Sequence, residues 1–143
     1  MKFSKILIIV MVWLGLSGGF LPEIAFSKDI RWQSFADGMA RGKSENKKVF
    51  LHFYAEWCAA CKTMEDRTFK DPGVIASLNK DFVPVKVDID RNKKISEMFK
   101  IKVLPDTWFI AENAKILGHR PGYISPVQLK TLLKMLINQD PGQ

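Results

Sequence analysis

Val49-Phe50-Leu51-His52-Phe53-Tyr54-Ala55 is an almost unbroken apolar and aromatic run, and no other segment constrains the fold of this chain as strongly. Its length is that of a strand. A strand with apolar side chains at successive positions must be covered on both faces, so the chain has to supply helices for two sides of a sheet. Residues 30–46 place Trp32, Phe35, Ala36 and Met39 at helical spacing and read as a first helix. Residues 59–68 suit a second. Asp71 as N-cap and Pro72 at the first helical position start a third that runs to about Asn79. Phe82 to Asp88 is the next strand, where Pro84 removes a ladder donor and points to an edge or a bulge. Residues 91–100 predict a short helix with Ile95, Met98 and Phe99 facing inward. Thr107–Ala111 and Lys115–His119 read as a hairpin turning at Glu112-Asn113. Ser125-Pro126 caps a last helix with an apolar stripe of Leu129, Leu132, Leu133 and Leu136. The order α, β, α, β, α, β, β, α predicts a mixed α/β layer fold. Its front half is a parallel pair with a right-handed crossover, and its tail is an antiparallel hairpin with a covering helix.

The N-terminus reads as a leader. Lys2 and Lys5 precede the apolar run Ile6 to Leu16, and Ser17-Gly18-Gly19 and Pro22 end it. The run is shorter than the roughly 20 residues a membrane span needs. Ala25 and Ser27 stand at the −3 and −1 positions of a cleavage site after Ser27. The expected division is a signal peptide over residues 1–27 and one domain over residues 28–143. The alternative is a retained N-terminal anchor, because Phe20, Leu21 and Ile24 lengthen the apolar stretch. Without a cysteine near the cut, a lipid-anchored N-terminus is not expected. Either way the domain is expected on the far side of the membrane, in the periplasm or another extracytoplasmic space.

The formal net charge is +7, and the leader would remove Lys2, Lys5 and Glu23 from it. A basic balance can serve nucleic acid or an anionic membrane surface. Here the lysines are scattered among acids, apart from Lys47-Lys48 and Lys93-Lys94, and there is no arginine-rich stripe. They read as a solvated surface, so no nucleic-acid partner is expected.

Two cysteines, Cys58 and Cys61, follow the buried strand at once. A disulfide holds a fold together in proportion to the loop it closes, and a bridge from i to i+3 closes almost nothing. Half a zinc site would need two more ligands, and the only histidines are His52, inside the strand, and His119. Redox exchange is the better reading. At the junction of strand and helix Cys58 meets unpaired backbone N–H groups and the helix dipole, which stabilise a thiolate. The thiolate is the nucleophile. Cys61, one turn inside and more buried, can resolve the mixed disulfide that Cys58 forms.

Phe53-Tyr54-Ala55-Glu56-Trp57-Cys58-Ala59-Ala60-Cys61-Lys62 resembles the active-site strand and helix of thioredoxins. The continuation Met64 to Val74, together with Phe82 to Asp90 and Pro121-Gly122-Tyr123, is similar to the C-terminal periplasmic domain of DsbD-type transmembrane disulfide reductases and to small exported thioredoxins. The resemblance spans roughly residues 30 to 138. It implies a three-layer thioredoxin-like fold, with a mixed central sheet flanked by helices, in a protein-disulfide reductase. It implies Cys58 as the attacking cysteine, Cys61 as the resolving one, and Pro105 as a cis-proline facing the disulfide, with Leu104 open to pair with an extended substrate strand. Trp57 then shields the disulfide, while Trp32 and Trp108 belong to the core. Thr usually follows this proline, so Asp106 puts an added negative charge near the site. Glu65 lies one turn beyond Cys61, and an acid there neighbours the active site in the DsbD-like branch. Its other reading is a surface glutamate. His52 stands where many thioredoxins carry a buried acid, either as a base with a pKa near neutral or as a hydrogen-bonded strand residue. His119 reads as a strand or turn residue. The resemblance also implies no cofactor beyond the Cys58–Cys61 disulfide, no metal, and a monomer. Its partners are exported protein thiols and disulfides and a membrane thiol-reductant donor, with apocytochromes before haem attachment among the clients. Strong oxidants of the superfamily carry a histidine between the sulfurs. Ala59-Ala60 leans toward reduction, although Lys62 works against that. A disulfide oxidant or isomerase, and a redox-poor binding module, are the competing readings.

Overall fold

The computed structural model describes residues 27–139. The expected leader, Ser27 apart, lies outside them. No helix among the described residues is long and apolar enough to cross a membrane. The elements are α1 (Phe35–Ser44), β1 (Lys48–Tyr54), α2 (Ala59–Arg67), α3 (Pro72–Asp81), β2 (Phe82–Asp88), α4 (Lys93–Met98), β3 (Asp106–Ile110), β4 (Ile116–Pro121) and α5 (Pro126–Asn138). The sheet order is β2-β1-β3-β4. β1 runs parallel to β2 and antiparallel to β3, and β3 runs antiparallel to β4.

β1 is covered on both faces, as its composition demands. Val49, Leu51 and Phe53 point to one side and join Val83, Val85, Val87 and Ile110, with Phe35 and Met39 of α1 and Ile95 and Phe99 packed over them. Phe50 points to the other side, into a cluster with Met64, Phe69, Val74, Leu78, Leu129 and Leu133 from α2, α3, α5 and the α2–α3 link. The result is three layers.

The caps are those the sequence predicts. Asp71 Oδ1 accepts from the backbone N–H groups of Gly73 and Val74 at 2.9 and 3.0 Å, with Pro72 opening α3. Ser125 and Gln128 form a reciprocal capping box at the start of α5. Pro84 lies on the edge strand. Its carbonyl accepts from Gln33 N on the open side of β2, and a strand residue directs N and O the same way. The missing donor therefore faces outward, where the ladder with β1 does not need it.

Two expectations shift. The first helix begins at Phe35 and not at Ile30, because Gln33 exchanges backbone hydrogen bonds with Pro84 and Lys86 while Ser34 caps α1 through Asp37 N. A residue bound to a strand edge cannot also be helical. In α4, Ile95 and Phe99 turn inward but Met98 is 62% exposed. That helix has only six residues and lies with one side against the sheet.

α1 approaches β2 at Gly38, where a Cβ would collide with Val85 Cγ2. Alanine in a helix interior is ordinarily worth about 1 kcal/mol over glycine. Overpacking reverses that sign here. Gly38→Ala is expected to lower stability by roughly 1–3 kcal/mol, read as a fall in the urea midpoint; an unchanged or raised midpoint would contradict this packing.

Candidate active site

β1 ends at Tyr54, and the chain turns through Ala55, Glu56 and Trp57 into α2. Cys58 is the N-cap of that helix, in extended conformation, with its N–H on Ala55 O and its sulfur accepting from Cys61 N at 3.2 Å. A thiol at this position sits against the free N–H groups and the positive end of the helix dipole. Cys58 and Cys61 are joined as a disulfide, with Cα atoms 5.2 Å apart. Ala55, Tyr54, Ala60, Ile89 and Leu104 pack around the pair. The Leu104–Pro105 peptide is cis, and the Pro105 carbonyl accepts from Gly122 N.

The two sulfurs were expected to differ in burial. In this disulfide form the two residues do not, Cys58 being 6% and Cys61 5% exposed. They differ in what they face. Cys58 opens onto a groove of about 450 Å³ walled by Trp57, Ile89, Ile101 and Leu104, with Lys102 in its lining. Trp57 is 68% exposed, and its indole N–H donates to Asp90 Oδ2 at 2.9 Å, which stands the ring up as one wall of the groove. Cys61 borders a different cavity, about 280 Å³, with His52, Tyr54, Glu65 and Lys86 around it.

His52 is buried on the Phe50 face, edge-on to Phe69 at 4.9 Å between ring centroids, with Nδ1 3.1 Å from Thr107 Oγ1. Burial, with the Lys86 charge added, pushes the imidazole from its ordinary 6.5 down to about 3. The expected value near neutral is therefore not met. Removing a cation from water costs more than Thr107 returns, so the ring is neutral at physiological pH. Glu65 does reach the Cys61 side. Its Oε2 accepts from Lys86 Nζ at 2.6 Å, and that ammonium lies 4.4 Å from the centroid of Tyr54 and 5.7 Å from that of Trp32.

Lys86 went unread in the sequence. The available signal was a lone lysine in a strand whose other positions are almost all apolar. Asp90 went unread for want of any pattern linking it to Trp57. Asp106 is 4% exposed and accepts from His119 Nδ1 at 3.0 Å. Its charge meets that imidazole, where it was expected to bear on the sulfurs. His119 lies in β4 and stacks on Trp108 at 4.3 Å. Trp32 and Trp108 flank the two core clusters. Among the described residues no group of three or more His, Cys, Asp or Glu side chains could hold a metal ion.

A Cys-X-X-Cys disulfide capping the helix that follows a doubly covered strand, with a cis proline beside it, defines a thiol–disulfide oxidoreductase whose redox group is the disulfide itself. The sequence model of the thioredoxin-like domain family matches residues 35–137, and the chain belongs to that family. It is 38% identical over 91 residues to a thioredoxin of Mycoplasmoides gallisepticum, spanning 64% of this chain and 86% of that one. It is 42% identical over 71 residues to the thiol:disulfide interchange protein DsbD of Vibrio vulnificus. That match takes in 50% of this chain but only 12% of the larger protein. The solution structure of a thioredoxin from Thermus thermophilus superposes with a TM-score of 0.70 at 21% identity, over 77% of this chain and 88% of that one, a likeness of fold.

The depressed pKa of His52 sets an acid limit on stability. Between about pH 6.5 and about pH 3 the unfolded chain binds a proton at this ring that the folded chain refuses. Stability therefore falls as the pH drops through that window, by up to about 1.4 kcal/mol per pH unit. His52→Gln removes this contribution. The loss of unfolding free energy of the disulfide form between about pH 7 and about pH 4.5, from urea titrations, is expected to be smaller in the variant by roughly 2 kcal/mol. Equal losses would show that the folded protein already accepts the proton.

Proposed function

We propose that this chain is an extracytoplasmic protein-disulfide reductase. The observation that carries the reading is the division of the site. Cys58 caps a helix and faces a groove large enough for an extended segment, while Cys61 faces a separate cavity bordered by Glu65 and Lys86. In the reduced protein the Cys58 thiolate attacks one sulfur of a client disulfide. A Cys58–client bond forms, and the electron pair of the broken bond leaves on the client's other sulfur. Cys61, deprotonated, then attacks Cys58 Sγ. The second client thiol is released and the Cys58–Cys61 disulfide remains, two electrons having passed to the client. Leu104, set by the cis bond to Pro105, presents its backbone to the client strand, and Trp57 bounds it.

The Cys61 proton must leave on the cavity side. Glu65 and Glu56 are the carboxylates there, and Glu65 is the one that Lys86, itself in the lining, holds by an ion pair. His52, neutral at physiological pH, serves as a hydrogen-bonding group and not as the resting base. The leader-like residues 1–27 support a site of action outside the cytoplasm, in the periplasm or another extracytoplasmic space. The DsbD match supports a membrane thiol donor that restores the dithiol. Exported proteins, apocytochromes among them, are the clients. The reducing direction rests on Ala59-Ala60, which brings no histidine to stabilise the reduced thiolate.

Two measurements test this. The Cys58–Cys61 potential against glutathione is expected well below about −180 mV, and a value well above it would place the protein among the oxidants. Cys61→Ser is expected to accumulate mixed disulfides through Cys58; no trapped species, together with unmeasurable insulin reduction, would leave a binding module. For the proton path, Glu65→Gln removes a negative charge and frees the Lys86 ammonium beside Cys61, so it is expected to lower the Cys61 thiol titration, followed by pH-dependent alkylation of a Cys58→Ser protein. An unmoved curve would return Glu65 to a surface role.

A further inference from the structure

The groove beside Cys58 has apolar walls and one charged side chain in its lining, Lys102. Lys102 is exposed on the short loop between α4 and the cis proline. Among the described residues no carboxylate forms an ion pair with it. The nearby carboxylates are otherwise placed. Asp90 accepts the Trp57 indole N–H, Asp88 is met by Arg91, and Glu56 borders the cavity on the Cys61 side. Lys100 adds a second exposed cation two residues before Lys102, also without an ion pair. An unpaired ammonium beside low-dielectric walls interacts more strongly with an incoming charge than one surrounded by water.

We propose that this groove selects client disulfides in which the attacked cysteine is followed by an apolar residue and then an acidic one, the apolar side chain lying against Ile89, Ile101 and Leu104 and the acid meeting Lys102. The proposal rests on the reductase reading and names the class of substrate for the same site. Apolar contact supplies affinity in proportion to the area buried, and every thioredoxin-like client with a bulky neighbour gains from that equally. The discriminating element is the charge, since replacing an acid by a lysine turns attraction into repulsion at a single point. Lys102 is thus a specificity-determining residue that takes no part in the electron transfer between sulfurs.

Three disulfide-bridged peptides provide the test. They are identical except that the residue after a Cys-Leu pair is Glu, Gln or Lys. Each is reduced by the full-length dithiol protein at low and at physiological salt. Every rate is divided by the rate with a small uncharged dithiol, which removes the effect of the neighbouring charge on the client sulfur itself. The Glu peptide is expected to be reduced with a kcat/KM about fivefold that of the Lys peptide at low salt, through KM and not kcat. Screening should narrow the gap at higher salt. Lys102→Glu is expected to reverse the order. Lys115→Glu, in the turn at the far end of the sheet, should keep it. Equal normalised rates for the Glu and Lys peptides, or an order that Lys102→Glu leaves unchanged, would overturn the selectivity while the reductase reading stands. Failure to reduce any of the three would overturn both.

Discussion

Everything at this site depends on the burial of β1. Five successive residues of that strand, Val49 to Phe53, are removed from water on both faces. That holds the end of the strand at a fixed depth and direction. The turn through Ala55 to Trp57 has no freedom to wander, and Cys58 arrives where α2 must begin. The helix in turn needs an acceptor at its first turn, and the Cys58 sulfur supplies it by accepting from Cys61 N. The nucleophile's electrostatics are therefore a by-product of core packing. A cavity opened under Phe50 or Phe53 would be felt at the sulfur before it was felt in the chemistry.

The two sulfurs are equally covered but look into unlike places. One faces an apolar groove bounded by a propped tryptophan and the loop before Pro105. The other faces a cavity where a carboxylate, an ammonium and a neutral imidazole meet. The two cavities are thus separated by the thickness of one disulfide. His52 illustrates the cost of that arrangement. Thr107 gives it one hydrogen bond, yet the aromatic rings against it, Trp32 and Phe69, leave no room for a charge. On the proposed proton route the acid–base burden falls to Glu65, which with Lys86 retains contact with water.

The order of strands and helices, the caps at Asp71 and Ser125, the edge placement of Pro84 and the cysteine pair are all legible along the chain. Each is set by residues within a few positions of one another, or by a period that a single face imposes. The errors share an opposite origin. Residues 30–46 carry a helical spacing of apolar residues from Trp32 to Met39, but the free edge of β2 claims Gln33's backbone. Met98 fits an inward stripe, but α4 is too short and too tangential to bury it. His52 resembles a titrating histidine until the shell around it is assembled, with rings from Trp32 and Phe69 and a hydroxyl from Thr107.

The proline facing the disulfide was implied only by the resemblance to thioredoxins, while the sequence by itself determined that a buried strand runs into a redox-competent helix and that the layers on either side are helical. Those are consequences of local pattern and of the need to hide apolar surface. Only the tertiary structure decided which charges meet. Lys86 reaches Glu65 from a strand twenty-one residues away, Asp106 turns to His119, Asp90 props Trp57, and Lys102 is left unpaired beside the groove. Such pairings depend on distances across the sheet and between loops, and no period along the chain encodes them.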